Sequence, residues 1–202
     1  TTSGGKDEQA LIRGTQPILV EKDDTKLALA FNGNIVNTVP LKWEIKAKNP
    51  TFTCECDLEL VAQKMLTTFA ETKDIASAVR TCMHDVEGAF SVCGITHTGE
   101  LFAFKDPYGI KPLCCGHSPD KSTYAVSSET VGLNINGFEL DFEVEPGELV
   151  TATKDGFTRQ EIAPCRHKAF CAFEFAYFAR PDSRFDDKYV YEIREEFGRN
   201  LV

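Results

Sequence analysis

The chain has 202 residues, a net charge of −9 at pH 7 and no block rich in Lys or Arg. That charge argues against nucleic acid or an anionic membrane as a partner. Every apolar run falls short of the ~20 residues that a membrane span needs, and no signal-peptide pattern opens the sequence, so we expect neither. The length suits one large domain or two small ones.

Eight cysteines are present, and most of them lie in apolar runs such as Ser-Val-Cys93-Gly-Ile. No Cys-x-x-Cys pair or Cys/His metal spacing appears. Cys54 and Cys56 are too close in sequence for an ordinary disulfide. Reduced thiols in apolar runs behave as small hydrophobic side chains. We therefore expect a reduced, cytoplasmic protein.

The first half of the chain reads as one hairpin followed by helices. Residues 1–15 have no periodicity and predict a loop. Residues 16–20 and Lys26–Phe31 flank the acidic pair Asp23-Asp24 and predict a β-hairpin. Helices are predicted over 41–48, over the apolar face formed by Leu60, Val61, Met65, Leu66 and Phe69, and over 74–83 with Ile75, Val79, Cys82 and Met83 inward.

The second half contains mostly hairpins. Strands are predicted over 89–96 and 101–105, over 123–126, and over 149–153 and 157–162. A loop is predicted at 106–113, and residues 127–130 could cap a short helix. A closing helix is predicted over 190–202. Hairpins combined with helices indicate an α+β fold with mainly antiparallel sheets covered by helices.

An Asn-Gly pair ends the first long apolar run. Leu27–Phe31 stops at Asn32-Gly33, and both residue types tolerate positive φ, so a sharp turn at the strand end is expected. Such a turn would expose the Asn32 carboxamide beside the Gly33 N–H, two donors able to hold an oxyanion. An ordinary hairpin turn is the alternative, and the local sequence alone favours it.

Asp57 lies at or just before the first turn of a predicted helix, where a carboxylate is favoured by the free N–H groups and the helix dipole. Composition favours this capping interpretation. The alternative is a carboxylate in a cleft that binds an α-ammonium group. The four histidines pair with no nucleophile motif, and no GxSxG, P-loop, HExxH or GxGxxG pattern occurs.

Several segments together resemble one enzyme family. They are Thr1–Gly5, Gln16-Pro17, Asn32–Asn37, Cys56–Glu59, Asp106–Leu113, Ser128–Thr130, Pro146–Glu148 and Phe173–Ser183, the last being the most specific. In this order they resemble the motifs of amidophosphoribosyltransferases, the glutamine-dependent enzymes that begin purine synthesis. Segments 31–33 and 109–113 also resemble glutamine-hydrolysing asparagine synthetases, but 33–37 and 178–183 favour the purine family.

The resemblance implies an N-terminal-nucleophile (Ntn) hydrolase fold, with two antiparallel sheets sandwiched between helical layers. That fold would be incomplete at the N-terminus, because the first strand of the family would precede Thr1. Residues 1–202 would form a partial class II glutamine amidotransferase domain. The closing helix would lead toward a phosphoribosyltransferase domain that this chain lacks.

The resemblance also implies a mechanism. An N-terminal Cys would attack the side-chain amide of glutamine, with its own α-amine as base. The Asn32 side chain and the Gly33 N–H would hold the oxyanion. Asp57 would bind the α-ammonium group of glutamine, and Thr2 would line the same pocket. The ammonia would then displace pyrophosphate from phosphoribosyl pyrophosphate.

The nucleophilic Cys would precede Thr1, so we expect the chain as written to be inactive, with Thr1 itself as a lesser alternative nucleophile. Two further alternatives are the glutaminase domain of another amidotransferase, such as an asparagine synthetase, and a non-catalytic Ntn-fold binding protein. No cofactor or metal is expected in this domain, and Mg²⁺ would belong to the transferase domain. A buried thiol is favoured for Cys171 over an iron–sulfur ligand. We expect a homo-oligomer.

Overall fold

The computed structural model describes residues 14–54 and 56–201. Its strands are β1 (Ile18–Lys22), β2 (Thr25–Ile35), β3 (Gly88–Thr96), β4 (Leu101–Lys105), β5 (Cys114–His117), β6 (Tyr124–Ser127), β7 (Glu139–Glu143), β8 (Glu148–Thr153), β9 (Gly156–Glu161), β10 (Arg184–Phe185) and β11 (Lys188–Tyr189). Its α-helices are α1 (Thr38–Lys48), α2 (Asp57–Thr72), α3 (Ile75–Asp85), α4 (Thr130–Asn134) and α5 (Val190–Arg199), and a π-helical turn spans Glu174–Phe178.

A six-stranded sheet in the order β1-β2-β3-β4-β8-β9 forms the centre of the described structure. Every neighbouring pair in it is antiparallel. A second sheet has the order β6-β5-β7. The predicted hairpins β1–β2, β3–β4 and β8–β9 are confirmed. Strands β5 and β7 were not predicted.

The two faces of the central sheet build two separate cores. On one face Leu29, Val92 and Phe104 are buried in a cluster with the apolar sides of α2 and α3. On the other face Ala103 and Val150 are buried with side chains of the second sheet. Alternation along each strand sends neighbouring residues to opposite faces. The layers are therefore helices, central sheet and second sheet, with the short helix α4 packed on the second sheet.

Helices α2 and α3 form where the apolar spacing predicted them. All five apolar residues predicted for the inner face of α2 are buried, as are the four predicted for α3. Asp74 caps α3, because its carboxylate accepts the N–H groups of Ala76 and Ser77 at 3.3 and 3.0 Å. Each fully buried large side chain in this layer stabilises the fold by about 1.5–3 kcal/mol.

The expected turn at Asn32-Gly33 is wrong. Both residues lie inside β2, where Asn32 pairs with Ser91 and Gly33 with Phe90. Gly33 is not among the described glycines with positive φ. Its small size is needed instead, because an added Cβ would lie 2.3 Å from the carbonyl oxygen of Ala89. The closing helix is also shorter than predicted, ending at Arg199.

The loop at 106–113 is confirmed, and a buried carboxylate fixes it to the central sheet. Asp106 is fully buried, and its two side-chain oxygens accept the N–H groups of Phe90, Tyr108 and Gly109 at 2.8–3.0 Å. Its own N–H donates to the carbonyl oxygen of Phe90. Three charge-assisted hydrogen bonds offset the cost of burying this group. The loop is thereby held against β3.

Candidate active site

A cleft of roughly 450 Å³ opens between the central sheet and the end of β6. Its lining residues include Gln16, Asn32, Ser91, Leu113 and Ser127. Asn32 and Ser91 pair across β2 and β3, so their side chains lie on the same face of the sheet. The carboxamide of Asn32 is therefore presented to the cleft.

Strand β2 uses its two edges differently. Lys26 directs its carbonyl toward β3, where it accepts the N–H of His97. In an antiparallel strand, successive residues direct their main-chain groups to opposite edges. The main-chain N–H and C=O groups of the odd-numbered residues of β2 therefore point away from β3. On that side Phe31 N–H donates to Gln16 Oε1 at 2.7 Å, and Ile35 N–H donates to Asp57 Oδ2 at 3.0 Å.

Gly33 lies between these two bonded residues on the same edge. The pairing of β1 with β2 ends at Ile18 and Leu29, so no strand within residues 14–54 and 56–201 covers Gly33 on that edge. Within residues 14–54 and 56–201 no acceptor is recorded for its N–H. An N–H that projects from a strand edge beside the Asn32 carboxamide has the arrangement required of an oxyanion-binding pair.

Asp57 is the first residue of α2, but it does not cap the helix. The N-cap residue is Cys56, and no side-chain cap bond is present. The predicted position in the first turn of the helix is confirmed, but the bond recorded for the carboxylate is to the N–H of Ile35 in β2 rather than to a helix N–H. This bond brings the two predicted site segments, 32–33 and 57, together.

The spacing along β2 suits a ligand the size of glutamine. The N–H groups of Gly33 and Ile35 are two residues apart, which corresponds to about 6.7 Å along a strand. Five bonds separate the α-nitrogen of glutamine from its side-chain amide oxygen, an extended span of roughly 5–6 Å. A ligand with its carbonyl at Gly33 can therefore place its ammonium group near Asp57.

No described cysteine near this cleft is suited to act as the nucleophile. Cys93 lines the cleft, but burial raises its pKa. Burial raises the pKa of Cys54 to about 11, and it also raises the pKa of Cys56. The thiolate is the reactive form, so a raised pKa makes each of these thiols a poorer nucleophile at neutral pH. Thr1 and Thr2, named in the sequence analysis, lie outside the described residues.

Cys171 lies elsewhere, in a second, small pocket that Lys105 and Glu143 also line. Burial lowers the pKa of Lys105 and raises the pKa of Glu143. An iron–sulfur cluster is held by four ligands, mostly Cys thiolates. Among the residues that the structure describes, no group of three or more His, Cys, Asp or Glu side chains is arranged to hold a metal. The preference for a buried thiol at Cys171 over an iron–sulfur ligand stays a prediction.

Sequence reasoning missed two residues of the cleft. Gln16 was noted for its position before Pro17, but not as a partner of β2. Ser127 was assigned to a helix cap, but it lines the cleft. The register of β1 against β2 would have placed Gln16 opposite Phe31, had the length of β2 been known.

An exposed aromatic surface lies apart from the cleft. Phe173, Tyr177 and Phe178, which we call the aromatic face, are 65%, 78% and 58% exposed. Arg194 and the Lys111–Glu174 ion pair hold the segment that carries it. Contiguous exposed apolar groups mark interaction surfaces. No helix of the described chain is long and apolar enough to cross a membrane.

Comparison with known proteins identifies the family. A family model described as the glutamine amidotransferase domain matches residues 8–134, more than half of the chain. The chain therefore belongs to the glutamine amidotransferase domain family. Amidophosphoribosyltransferase of Synechococcus elongatus is 38% identical over 193 residues, which are 95% of this chain and 39% of that protein. The human amidophosphoribosyltransferase is 32% identical over 95% of this chain and 41% of that protein.

A solved structure supports the same relationship. Glutamine phosphoribosylpyrophosphate (PRPP) amidotransferase from B. subtilis, complexed with ADP and GMP, superposes with a TM-score of 0.85 at 29% identity. The match covers 94% of this chain and 41% of that one. The predicted family resemblance and the α+β, Ntn-type fold are confirmed. The chain spans about two fifths of the length of the curated relatives that it matches.

Proposed function

We propose that this chain is the glutaminase part of an amidophosphoribosyltransferase. It would release ammonia from glutamine for the formation of phosphoribosylamine from phosphoribosyl pyrophosphate in purine synthesis. The observation that carries the proposal is the N–H of Gly33, for which the described residues provide no recorded acceptor. It lies beside the Asn32 carboxamide and between the bonded N–H groups of Phe31 and Ile35. The relatives named above support this choice of enzyme.

In the proposed reaction a thiolate adds to the side-chain carbonyl carbon of glutamine. Negative charge develops on the carbonyl oxygen, and the Asn32 N–H₂ and Gly33 N–H donate to it. Collapse of this intermediate breaks the C–N bond, and ammonia leaves with a proton from the general base. Water then hydrolyses the thioester to glutamate. Asp57 would hold the α-ammonium group throughout.

The nucleophile in this proposal is the N-terminal Cys that the family resemblance implies, with its α-amine as base. This step depends on the start of the natural protein, which N-terminal sequencing and an intact mass would establish. Thr2 would line the same pocket. A natural N-terminus at Thr1 would instead favour a binding protein without glutaminase activity.

The partners of the proposed domain are glutamine and, through a transferase domain, phosphoribosyl pyrophosphate with its Mg²⁺. A cytoplasmic location and a homo-oligomer complete the proposal. Asparagine synthetase-like activity remains the alternative in the same reaction class.

The test is glutamate release from glutamine by the natural full-length protein. We expect Asn32→Ala to lower kcat by about 10²–10³-fold, the usual cost of losing one oxyanion donor, with little change in KM. The matched control is Asn200→Ala at the end of α5, far from the cleft. Ammonia transfer to phosphoribosyl pyrophosphate supports the purine enzyme. Transfer that needs ATP and aspartate supports the synthetase alternative, and no glutamate release contradicts both.

A further inference from the structure

Gln16 lies at the position where β1 would form its next hydrogen-bonded pair with β2. The register pairs Ile18 with Leu29, and two further residues in each strand place Gln16 opposite Phe31. Strand β1 begins only at Ile18, so in the part of the chain that the structure describes no strand backbone pairs with Phe31 on this edge. The N–H of Phe31 donates instead to the side-chain Oε1 of Gln16 at 2.7 Å. The carboxamide thus replaces a main-chain carbonyl at the end of the ladder.

This replacement determines what happens at Gly33. A strand that continued past Phe31 would next pair with Gly33 and occupy its N–H. A side chain accepts one N–H but provides no further main-chain groups to pair with the next residues of β2. On the other side of Gly33, Asp57 satisfies Ile35 in the same way. In the described part of the chain the N–H of Gly33 therefore has no recorded acceptor, and the N–H groups on either side of it on this edge are bonded to the side chains of Gln16 and Asp57.

We infer that Gln16 is a positioning residue for the oxyanion site. It fixes the main chain at Phe31 and ends the ladder, so that the N–H of Gly33 is directed at the ligand. Gln16 also lines the cleft that Asn32 lines, so the main chain it holds borders the proposed reaction site. The inference rests on the proposed glutaminase function, since it assigns a role within that site.

The experiment compares Gln16→Met with Gln160→Met in the natural full-length protein. Methionine keeps the length of glutamine but is only a weak acceptor. Gln160 is an exposed residue of β9 and serves as the matched control. We expect Gln16→Met to lower kcat for glutamine hydrolysis by about 10–100-fold, because misplacement of a site by ~1 Å costs up to that much. KM for glutamine should stay within about threefold, because Gln16 acts on the transition state.

Two further measurements separate positioning from a folding defect. Activity with ammonium ion in place of glutamine bypasses the cleft and should be unchanged in Gln16→Met. Gln16→Asn keeps the amide but shortens the side chain, so it should show a smaller loss in kcat with KM again unchanged. Wild-type protein that releases no glutamate overturns the proposed function and this inference together. Active wild type with an undiminished kcat in Gln16→Met overturns this inference alone, as does a parallel loss of the ammonium-dependent activity.

Discussion

The carboxylate of Asp57 accepts the main-chain N–H of Ile35 at 3.0 Å, joining the first residue of α2 to the last residue of β2. One oxygen of the carboxylate makes this bond. Within the described residues no donor is recorded for the other oxygen, so it is available to a ligand. Asp57 therefore has both a structural bond and a charge that a cationic group can use.

Replacing Asp57 with Asn should separate these two roles. The amide oxygen of Asn can still accept the N–H of Ile35, but the negative charge is lost. We expect KM for glutamine to rise by about 10–100-fold, since a hydrogen bond to a charged group is worth about 1.5–3 kcal/mol. Steady-state kinetics measures the change, and Asp155→Asn in the exposed β8–β9 turn is the control. An unchanged KM would assign Asp57 to structure alone.

Gly33→Ala should destabilise the fold as well as the site. The added Cβ would lie 2.7 Å from the Cα of Phe90 and even closer to a carbonyl oxygen of β3, and backbone cannot rotate away. We expect a loss of about 1–3 kcal/mol in the free energy of unfolding. Gly198→Ala is the control, because nothing lies within 4 Å there and alanine favours a helix by up to about 1 kcal/mol. Urea unfolding of both variants measures the difference. Equal free energies of unfolding would contradict the close approach of Gly33 to β3.

Lys64 connects the helices through two carboxylates. Its side chain is 9% exposed, and its Nζ forms ion pairs with Glu44, at 2.9 Å, and with Asp85. Burial alone would lower the pKa of Lys64, but the bonds and charges of Asp85 and Glu44 outweigh it and raise the pKa. Burial alone would raise the pKa of Asp85, but hydrogen bonds from His84 and Lys64 lower it.

These shifts fix the pH dependence of a Lys64→Met variant. The lowered pKa of Asp85 contributes stability above its unfolded pKa of about 3.9, and that contribution is lost as pH falls through the folded value. The raised pKa of Lys64 also contributes stability, and this contribution is complete at pH 7 because pH 7 lies below the unfolded pKa of lysine. We expect Lys64→Met to lose about 1–3 kcal/mol at pH 7, with a smaller difference from wild type below about pH 4. Urea unfolding at pH 7 and pH 3.5 measures both differences. Lys48→Met removes an exposed ion pair at 3.7 Å and should change the free energy of unfolding little. If Lys64→Met loses the same stability at both pH values, the ion-pair explanation is contradicted.

Arg194 should hold the segment that carries the aromatic face. Its guanidinium donates to the carbonyl oxygens of Phe175 at 2.6 Å and Ala179 at 2.8 Å, at the end of the π-helical turn. Arg194→Met should cost about 1–3 kcal/mol of stability and increase hydrogen exchange at the N–H of Ala179. Arg199→Met removes exposed ion pairs of α5 and should cost less than about 0.5 kcal/mol. Equal effects of the two variants would argue against a holding role.

The aromatic face should drive self-association of the isolated chain. Replacing Phe173, Tyr177 and Phe178 with Ser removes the exposed rings, so we expect less aggregation and weaker binding of an apolar dye. Sedimentation and dye fluorescence measure the two effects. Trp43→Ser on α1 removes a single ring that is 74% exposed and should leave self-association unchanged. Aggregation that persists in the triple variant would show that another surface mediates self-association.

Much of the fold was predictable because its signals are local. The apolar stripes of α2 and α3 and the turn residues between paired strands depend on neighbours in sequence. Strand β5 was missed because all four of its residues are buried, which removes the alternation that marks a strand. Strand β7, Glu-Leu-Asp-Phe-Glu, does alternate polar and apolar residues, so its local signal was present and was overlooked.

The candidate site was predicted in its residues but not in its geometry. Asn32 and Gly33 were singled out through their tolerance of positive φ, whereas Gly33 serves through the absence of a Cβ against β3. Asp57 was read as a cap because a helix end offers nearby donors. Its real partner, Ile35, lies 22 residues away. Long-range pairing of this kind has no local signature, so only the structure provides it.

The buried carboxylate of Asp106 has a consequence for how a ligand would enter the cleft. Leu113, which forms one wall of the cleft, ends the loop that Asp106 fastens to Phe90. Moving the start of that loop would break bonds to a group with no access to water, which costs free energy. The wall is therefore rigid and already shaped before any ligand arrives. On this side of the cleft a ligand would therefore meet a surface that is organised in advance.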